Sequence, residues 1–403
     1  MKIKTSLTGR RWLGDEDADE ADEDGSKNRY TTSDEVSRVL SEVVTSRNLV
    51  VLAGLGTSLC VKNTSKPAPT MGRLWEAVKD EYAQALEKDA SWDDLLRIAK
   101  QPEGCRDIEG LLSRAKLCEA FEEGENLTTI KEFIRRAEGT IRREVDFVSP
   151  GTELPLHEAF LRRLGRRSAR RERLRLFTTN YDRCFEHAGQ RAGFVVVDGF
   201  TFAQPSFFDP SLFAYDVVRR GGEADRPDYI ESLFHLYKLH GSIDWEADQK
   251  SRRVVKKPDT DRPLLIYPRS SKYELAFEQP YLEMISSFQS VIRTRDTGLL
   301  IVGFGFNDSH IAEPVLAAIE TNLSLKTTIV SPSLEDESID NEYLKTISDF
   351  IEGGDARLAL IEASFEDLVP SMPDVVAMTD LERHLERVDA SRRVRRGTSD
   401  GSV

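Results

Sequence analysis

The chain has 403 residues, of which 39% are hydrophobic and 31% are charged, and its formal net charge is -14. This composition is typical of a globular protein and excludes a wholly disordered chain. No apolar run reaches the roughly 18 residues that a membrane helix needs, and the first residues lack the apolar core of a signal peptide. We therefore expect a cytoplasmic protein that does not contact membranes.

The N-terminal region carries a concentrated negative charge. Residues 15–24, DEDADEADED, hold eight carboxylates and cannot bury apolar surface. Residues 1–31 are therefore predicted to form a disordered acidic arm, which is either solvated or in contact with a basic partner. A helix is predicted next, over residues 32–46, because Thr32 and Glu35 match a capping box and valines recur at helical spacing.

Apolar segments without alternation follow, a pattern typical of strands that are covered on both faces. They occupy residues 48–54, 175–179, 236–239, 298–303 and 327–330. Segments with helical periodicity separate them, and a last helix and strand are predicted over residues 338–350 and 357–361. This alternation predicts an α/β fold with a Rossmann-like, doubly wound parallel sheet over residues 32–370.

Other segments interrupt or follow this pattern. Several helical stretches predict an inserted helical module at about residues 70–150. Residues 200–235 and 246–262 are rich in Pro, Gly, Asp and Arg and predict long loops, which are usually functional or mobile. Residues 371–403 are predicted to form a C-terminal tail without core-forming residues.

Two features of composition bear on binding partners. Residues 162–175 contain eight arginines. Either a nucleic-acid-binding patch or a solvated helix end explains them, so direct nucleic-acid binding stays open. The four cysteines are scattered and form no CxxC pair, which predicts neither a disulfide framework nor a cysteine zinc site. We expect no metal.

Glycines and small polar residues follow the predicted strands. In a parallel sheet these positions share one edge, which is where ligands bind. Glycines let the backbone approach a diphosphate, although a single G-x-G turn is also a common structural turn. The residues are Gly54, Gly56, Thr57 and Ser58 after the first strand, Thr179, Asn180 and Asp182 after the second, His240 and Ser242 after the third, Gly303, Gly305 and Asn307 after the fourth, and Ser331 after the fifth.

These segments resemble the ordered motifs of sirtuins. AGLGTS resembles the G-A-G-x-S phosphate loop, TTNYDRCFEHAG resembles T-Q-N-x-D-x-L-x-x-x-A-G, and KLHGS resembles the catalytic histidine motif. LLIVGFGFND falls where sirtuins carry a second glycine-rich NAD loop. The motif sequences TNYD, HGS and GFGFND are most similar to those of the bacterial SIR2-like group associated with antiphage defence. The resemblance covers about residues 35–370.

The resemblance implies NAD as the substrate and a role for each matching residue. Asn180 would position the nicotinamide ribose and an attacking water, and His240 would act as a base through ribose hydroxyls, which suits the titration range of histidine. Asp182 would contact the nicotinamide amide. The remaining NAD-binding residues would be Gly54, Gly56, Thr57, Ser58, Thr179, Ser242, Gly303, Gly305, Asn307 and Ser331.

The sequence also departs from the sirtuin pattern. LCVKN, at residues 59–63, stands where sirtuin deacylases carry G-I-P-D-F-R, and the four-cysteine zinc module is missing. Deacylation is therefore disfavoured, and water becomes the expected acceptor in an NAD+ hydrolysis that yields ADP-ribose and nicotinamide. ADP-ribosyl transfer, sirtuin-type deacylation and non-catalytic sensing of NAD or ADP-ribose are the alternatives.

An unregulated NAD+ hydrolase would kill its host, so we expect gating. The resemblance implies a homo-oligomer that is controlled in trans, by a HerA-type hexameric ATPase or, alternatively, by a short Argonaute protein. On this hypothesis the protein is an NAD-depleting effector of antiphage defence.

Overall fold

A nine-stranded sheet lies at the centre of the computed structural model. The structure describes residues 1–14, 31–62, 64, 66–85, 91–165, 167, 171–220, 228–248, 250–265, 279–335 and 340–373. The acidic stretch 15–24 and residues 374–403 lie outside the described residues. The strands are β1 (Lys2–Thr5), β2 (Leu13–Gly14), β3 (Asn48–Ala53), β4 (Leu174–Thr178), β5 (Val195–Val197), β6 (Val218–Arg219), β7 (Asp228–Tyr229), β8 (Leu233–Lys238), β9 (Gly241–Ser242), β10 (Trp245–Asp248), β11 (Arg253–Lys256), β12 (Leu264–Leu265), β13 (Thr297–Val302), β14 (Lys326–Ser331) and β15 (Leu358–Glu362).

The helices cover both faces of this sheet and form a separate module. They are α1 (Thr32–Val44), α2 (Met71–Ala85), α3 (Trp92–Ile98), α4 (Ile108–Glu119), α5 (Gly124–Val145), α6 (Pro155–Gly165), α7 (Cys184–Arg191), α8 (Tyr281–Ile292), α9 (Ser309–Thr321), α10 (Glu342–Glu352) and α11 (Phe365–Ser371).

The strand order is β2-β1-β15-β14-β13-β3-β4-β8-β5, and the seven strands from β15 to β5 run parallel. The chain builds one half outward from β3 through β4, then crosses back to β13 on the other side of β3. The carboxyl ends of β3 and β13 therefore flank a topological switch point, where open α/β sheets bind ligands. The predicted Rossmann-like, doubly wound parallel sheet is confirmed.

The apolar composition of β3 follows from burial on two sides. Leu49 and Val51 belong to the hydrophobic core that contains α1 and α6, whereas Val50 and Leu52 belong to the core that contains α8 and α9. Each fully buried side chain of this size contributes about 1.5–3 kcal/mol relative to exposure. Because neither face meets water, the strand lacks the alternation of a half-exposed strand.

The helices α2 to α5 form the predicted inserted module between β3 and β4. They have their own hydrophobic core, which includes Trp75 and Phe133. The same core also takes in Tyr181, Ile243 and Leu265, which follow strands of the main sheet or lie in β12. The module therefore packs onto the carboxyl edge of the sheet.

The N-terminal segment differs from its prediction as a disordered arm over residues 1–31. β1 pairs antiparallel with β15, and β2 pairs with β1. Ile3 is fully buried, and Lys4 Nζ donates to Glu352 Oε1 at 2.7 Å. The prediction is wrong for residues 1–14. Strands of four and two residues are too short to show a strand pattern in the sequence, and they are stabilised by pairing, β1 with the edge of β15 and β2 with β1.

The helix α1 begins at Thr32 as predicted, but its capping residue is Thr31, one residue before the predicted cap. Thr31 accepts a hydrogen bond from the Asp34 backbone N–H at 3.2 Å, and the Asp34 side chain completes the capping box. Glu35, assigned to the cap from the sequence, is instead buried and accepts a hydrogen bond from Thr5 Oγ1 at 2.9 Å. The predicted long loops also contain short hairpins, β6 with β7 and β10 with β11.

Candidate active site

Two glycine-containing loops meet at the switch point. The Gly54 N–H donates to Val302 O at 2.9 Å, and the Gly56 N–H donates to Gly303 O at 3.0 Å. A Cβ atom at Gly56 would lie 2.6 Å from Gly303 Cα, and Gly303 itself has φ +63°. These glycines are therefore required for the close approach of the two loops.

A cavity of about 520 Å³ opens along the carboxyl edge beside these loops. Most of the residues that the sequence assigned to a site line it. They are Gly56, Thr179, Asn180, Asp182, His240, Gly303, Gly305, Asn307 and Ser331. The other four, Gly54, Thr57, Ser58 and Ser242, are buried behind this surface.

Asn180 is held by the loop that follows β3. Its Nδ2 donates to Gly54 O at 3.0 Å and to Ser58 Oγ at 2.9 Å, and it lies 3.3 Å from Thr57 Oγ1. Since a backbone carbonyl only accepts, the amide nitrogen must point to the loop. The carbonyl end of the Asn180 side chain is thereby left for the cavity. Thr57 and Ser58 orient this asparagine from behind.

Asp182 stabilises the turn between β4 and α7. Its Oδ2 accepts from Ser58 Oγ at 2.6 Å, and its Oδ1 accepts from the Cys184 backbone N–H at 3.0 Å. Lys238, at the end of β8, donates to the backbone carbonyl of Asp182 and, at 3.0 Å, to Glu186 Oε1. Lys238 was not singled out from the sequence, although a lysine inside the apolar LFHLYK is a usable signal.

His240 pairs with a second histidine. Its Nε2 lies 3.0 Å from Nε2 of His310, near the start of α9. Burial lowers the pKa of each imidazole to about 3, and for His310 the neighbouring His240 lowers it further while Asp308 opposes the shift. Both rings are therefore neutral near pH 7, and one donates its Nε2–H to the other. His310 was not predicted from the sequence, although its position directly after GFGFNDS is a usable signal.

The helical module forms one wall of the cavity. Arg106, Asp107 and Glu109, at the start of α4, are among the lining residues. The hydroxyl of Tyr181 donates to Glu109 Oε1 at 2.7 Å and so connects the turn after β4 to the module. Tyr181, between Asn180 and Asp182, thus contacts the helical module, which the sequence predicted as a separate insertion.

Several described arginines of the stretch 162–175 have partners within the chain. Arg163 donates to carbonyls at the end of α11, including Val369 O at 2.6 Å. Arg167 donates to Val44 O at 2.9 Å, and Arg173 pairs with Asp216 at 2.7 Å. Three of the eight arginines therefore have protein partners that explain their presence without nucleic-acid binding.

Among the described residues, no group of three or more His, Cys, Asp and Glu side chains could hold a metal ion. No helix in the described part of the chain is long and apolar enough to cross a membrane.

Part of the chain is similar to a known family model, and the fold is similar to solved structures. A family model described as a SIR2-like domain matches residues 174–348. A point mutant of a Sir2 homologue in complex with ADP-ribose is 13% identical, with a TM-score of 0.39, over 88% of this chain and 97% of that chain. A structure from work on the mechanism and regulation of Sir2 enzymes is 14% identical, with a TM-score of 0.37, over 84% and 96%. Curated proteins gave no match.

Proposed function

We propose that this chain, which carries a SIR2-like domain over residues 174–348, hydrolyses NAD+ to ADP-ribose and nicotinamide. The observation that carries the proposal is the convergence of Asn180 and His240 on one cavity beside two glycine loops. A site that only bound the dinucleotide would need the loops, but it would not need an oriented amide and a neutral imidazole together.

The glycine loops suit the diphosphate end of the substrate. Gly56, Gly303 and Gly305 line the cavity and expose backbone where a side chain would block access. The N–H groups of Gly56 and Gly303 are donated to Gly303 O and Val330 O, so these two glycines would contribute the close approach of the backbone, and the phosphate oxygens would accept from other N–H groups of the two loops. On this proposal Asn307 and Ser331, which line the same cavity, lie on the adenosine side.

Asn180 and His240 suit the reacting end. Loss of nicotinamide leaves an oxocarbenium-like ribose, as in glycoside hydrolysis, so a polar group is needed near the anomeric carbon. The carbonyl of Asn180, fixed by Gly54 and Ser58, can accept a hydrogen bond from the attacking water. Neutral His240 can take a proton from that water or from a ribose hydroxyl. Asp182 would then contact the nicotinamide amide.

Hydrolysis is favoured over deacylation by two features. The sequence has no CxxC pair and so lacks the four-cysteine module that accompanies the peptide groove of sirtuin deacylases. In addition, Arg106 and Glu109 of the helical module put charged side chains in the lining of the cavity. On this proposal the acceptor is water.

Nicotinamide release from NAD+ by the purified full chain tests the proposal. We expect Asn180→Ala and His240→Ala each to lower kcat by about 100-fold or more, the usual effect of losing a general base or its partner. Asn126→Ala, on the exposed surface of α5, is the matched control and should release nicotinamide at the wild-type rate. Equal rates in all four proteins would overturn the assignment. Label transferred from NAD+ to protein would instead indicate ADP-ribosyl transfer.

We also propose that the activity is gated in trans as part of antiphage defence. The support is the resemblance of TNYD, HGS and GFGFND to the bacterial SIR2-like group. Nicotinamide release measured with and without a HerA-type hexameric ATPase, and separately with and without a short Argonaute, tests the gating. Nicotinamide release that neither partner changes would contradict gating by these two classes while leaving the hydrolase proposal intact.

A further inference from the structure

His310 contacts the proposed base without lining the cavity. It sits on the second residue of α9 and is half-buried, and its Nε2 meets Nε2 of His240 at 3.0 Å. The two ring centroids are 5.1 Å apart, with 32° between the planes. With Nε2 engaged in this way, Nδ1 is the ring nitrogen with which His240 can face a ligand in the cavity.

The chemistry of NAD+ hydrolysis requires an exit for one proton. The bond from the anomeric carbon to the pyridinium nitrogen breaks, and its electron pair neutralises the nicotinamide ring. A new bond forms between that carbon and the water oxygen, which then loses a proton. Burial holds the pKa of His240 at about 3, so this ring cannot keep the proton as a stable imidazolium.

We propose that His310 is a positioning residue that orients His240 and takes over this proton, an inference that rests on the proposed hydrolysis. His240 accepts the water proton at Nδ1 and releases its Nε2–H proton to Nε2 of His310. His240 stays neutral throughout, and the positive charge moves to His310. No oxidant, reductant or further reactant is needed.

The surroundings of the pair favour this direction of transfer. Asp308, directly before α9, is near enough to raise the pKa of His310 against the effect of burial, whereas burial acts alone on His240. The other titratable groups around the two rings in the described structure are Tyr181, 6.5 Å from His240 between ring centroids, and Tyr281, 6.3 Å from His310. Burial and the neighbouring His240 still hold the pKa of His310 at about 3, so the positive charge on this half-buried ring is transient and the proton passes on to solvent; Asp308 gives that charge a partner that His240 lacks.

Substitution of His310 in the full chain tests the relay. We expect His310→Gln, which keeps a polar side chain but cannot relay a proton, to lower kcat about 10- to 100-fold with little change in KM for NAD+. The acid limb of the kcat–pH profile should move to lower pH, because His240 alone binds a proton less readily than the pair. The matched control is His235→Gln, a buried histidine on β8 whose ring nitrogens lack partners among the described residues. It should keep the wild-type profile.

Other outcomes contradict the relay. Wild-type kcat and an unchanged pH profile in His310→Gln would overturn it, as would a change confined to KM. A loss of kcat with the acid limb unmoved would show a merely structural role.

A measurement without turnover separates this inference from the proposed function. Nitrogen-15 NMR of the histidine rings in the full chain reports whether His240 Nε2 is hydrogen-bonded, and His310→Gln should shift that resonance. An unshifted resonance would overturn the inference even if NAD+ is hydrolysed. A shifted resonance in a protein that never releases nicotinamide would instead contradict the hydrolase proposal and leave the pair without this reaction.

Discussion

At the residue scale, the site depends on the lack of a side chain at Gly56. Gly56 hydrogen-bonds to Gly303 across the switch point, and its Cα–H faces backbone atoms of the second loop. Asn180 is then held by the carbonyl of Gly54, on the same loop. The contact between the two loops therefore supports the orientation of the proposed catalytic amide.

Gly56→Ala should separate the loops. The new Cβ would lie 2.6 Å from Gly303 Cα, a backbone atom that cannot rotate away. We expect a loss of about 1–3 kcal/mol in the free energy of unfolding, as for overpacked cores, with a raised KM for NAD+. Urea unfolding and steady-state kinetics measure the two effects. Gly72→Ala, in α2 with no atom within 4 Å of its Cβ, should instead stabilise the protein by about 0.5–1 kcal/mol.

At the element scale, the helical module belongs to the site. α4 contributes residues to the cavity lining, and the module's core includes Tyr181 from the turn after β4. The Tyr181 hydroxyl bonds to Glu109 on α4 at 2.7 Å. A movement of the module would therefore act directly on the turn that carries Asn180, which is the kind of coupling that a gated enzyme needs.

Tyr181→Phe should loosen this connection. A hydrogen bond to a charged acceptor contributes about 1.5–3 kcal/mol, so we expect stability to fall within that range. Hydrogen exchange at the start of α4 should become faster, and mass spectrometry can follow it by segment. Tyr82→Phe is the control, because Tyr82 packs in the same core and its hydroxyl makes no hydrogen bond to the described residues. Equal exchange in both variants would show that the Glu109 bond does not couple the module to the site.

At the scale of the whole molecule, the N-terminal strands complete the sheet. β1 covers the edge of β15, which would otherwise present unpaired backbone groups. Thr5 bonds to Glu35 on α1, and Lys4 bonds to Glu352 on α10. The first strand therefore ties two helices to the sheet.

Ile3→Ala should destabilise the fold. Ile3 is fully buried, and removal of a buried isoleucine side chain costs about 2–4 kcal/mol because it leaves a cavity. Thermal or urea unfolding measures the loss, and KM for NAD+ should stay near the wild-type value. Leu7→Ala is the matched control, since Leu7 is 72% exposed and its loss should change stability by less than about 0.5 kcal/mol. Equal stability of the two variants would mean that residues 1–14 do not contribute to the folded core.

The sequence by itself determined the type and order of the main elements and the sheet edge that holds the site. Strands such as β3 are apolar on both faces, and the polar residues after them meet because parallel strands share a carboxyl edge. Tertiary structure decided which of those residues face the cavity and which partners hold them. Thr57 and Ser58 turn toward Asn180, and His310 reaches His240 across 70 residues of sequence. Local periodicity reports burial, whereas hydrogen-bond partners distant in sequence depend on how the elements pack.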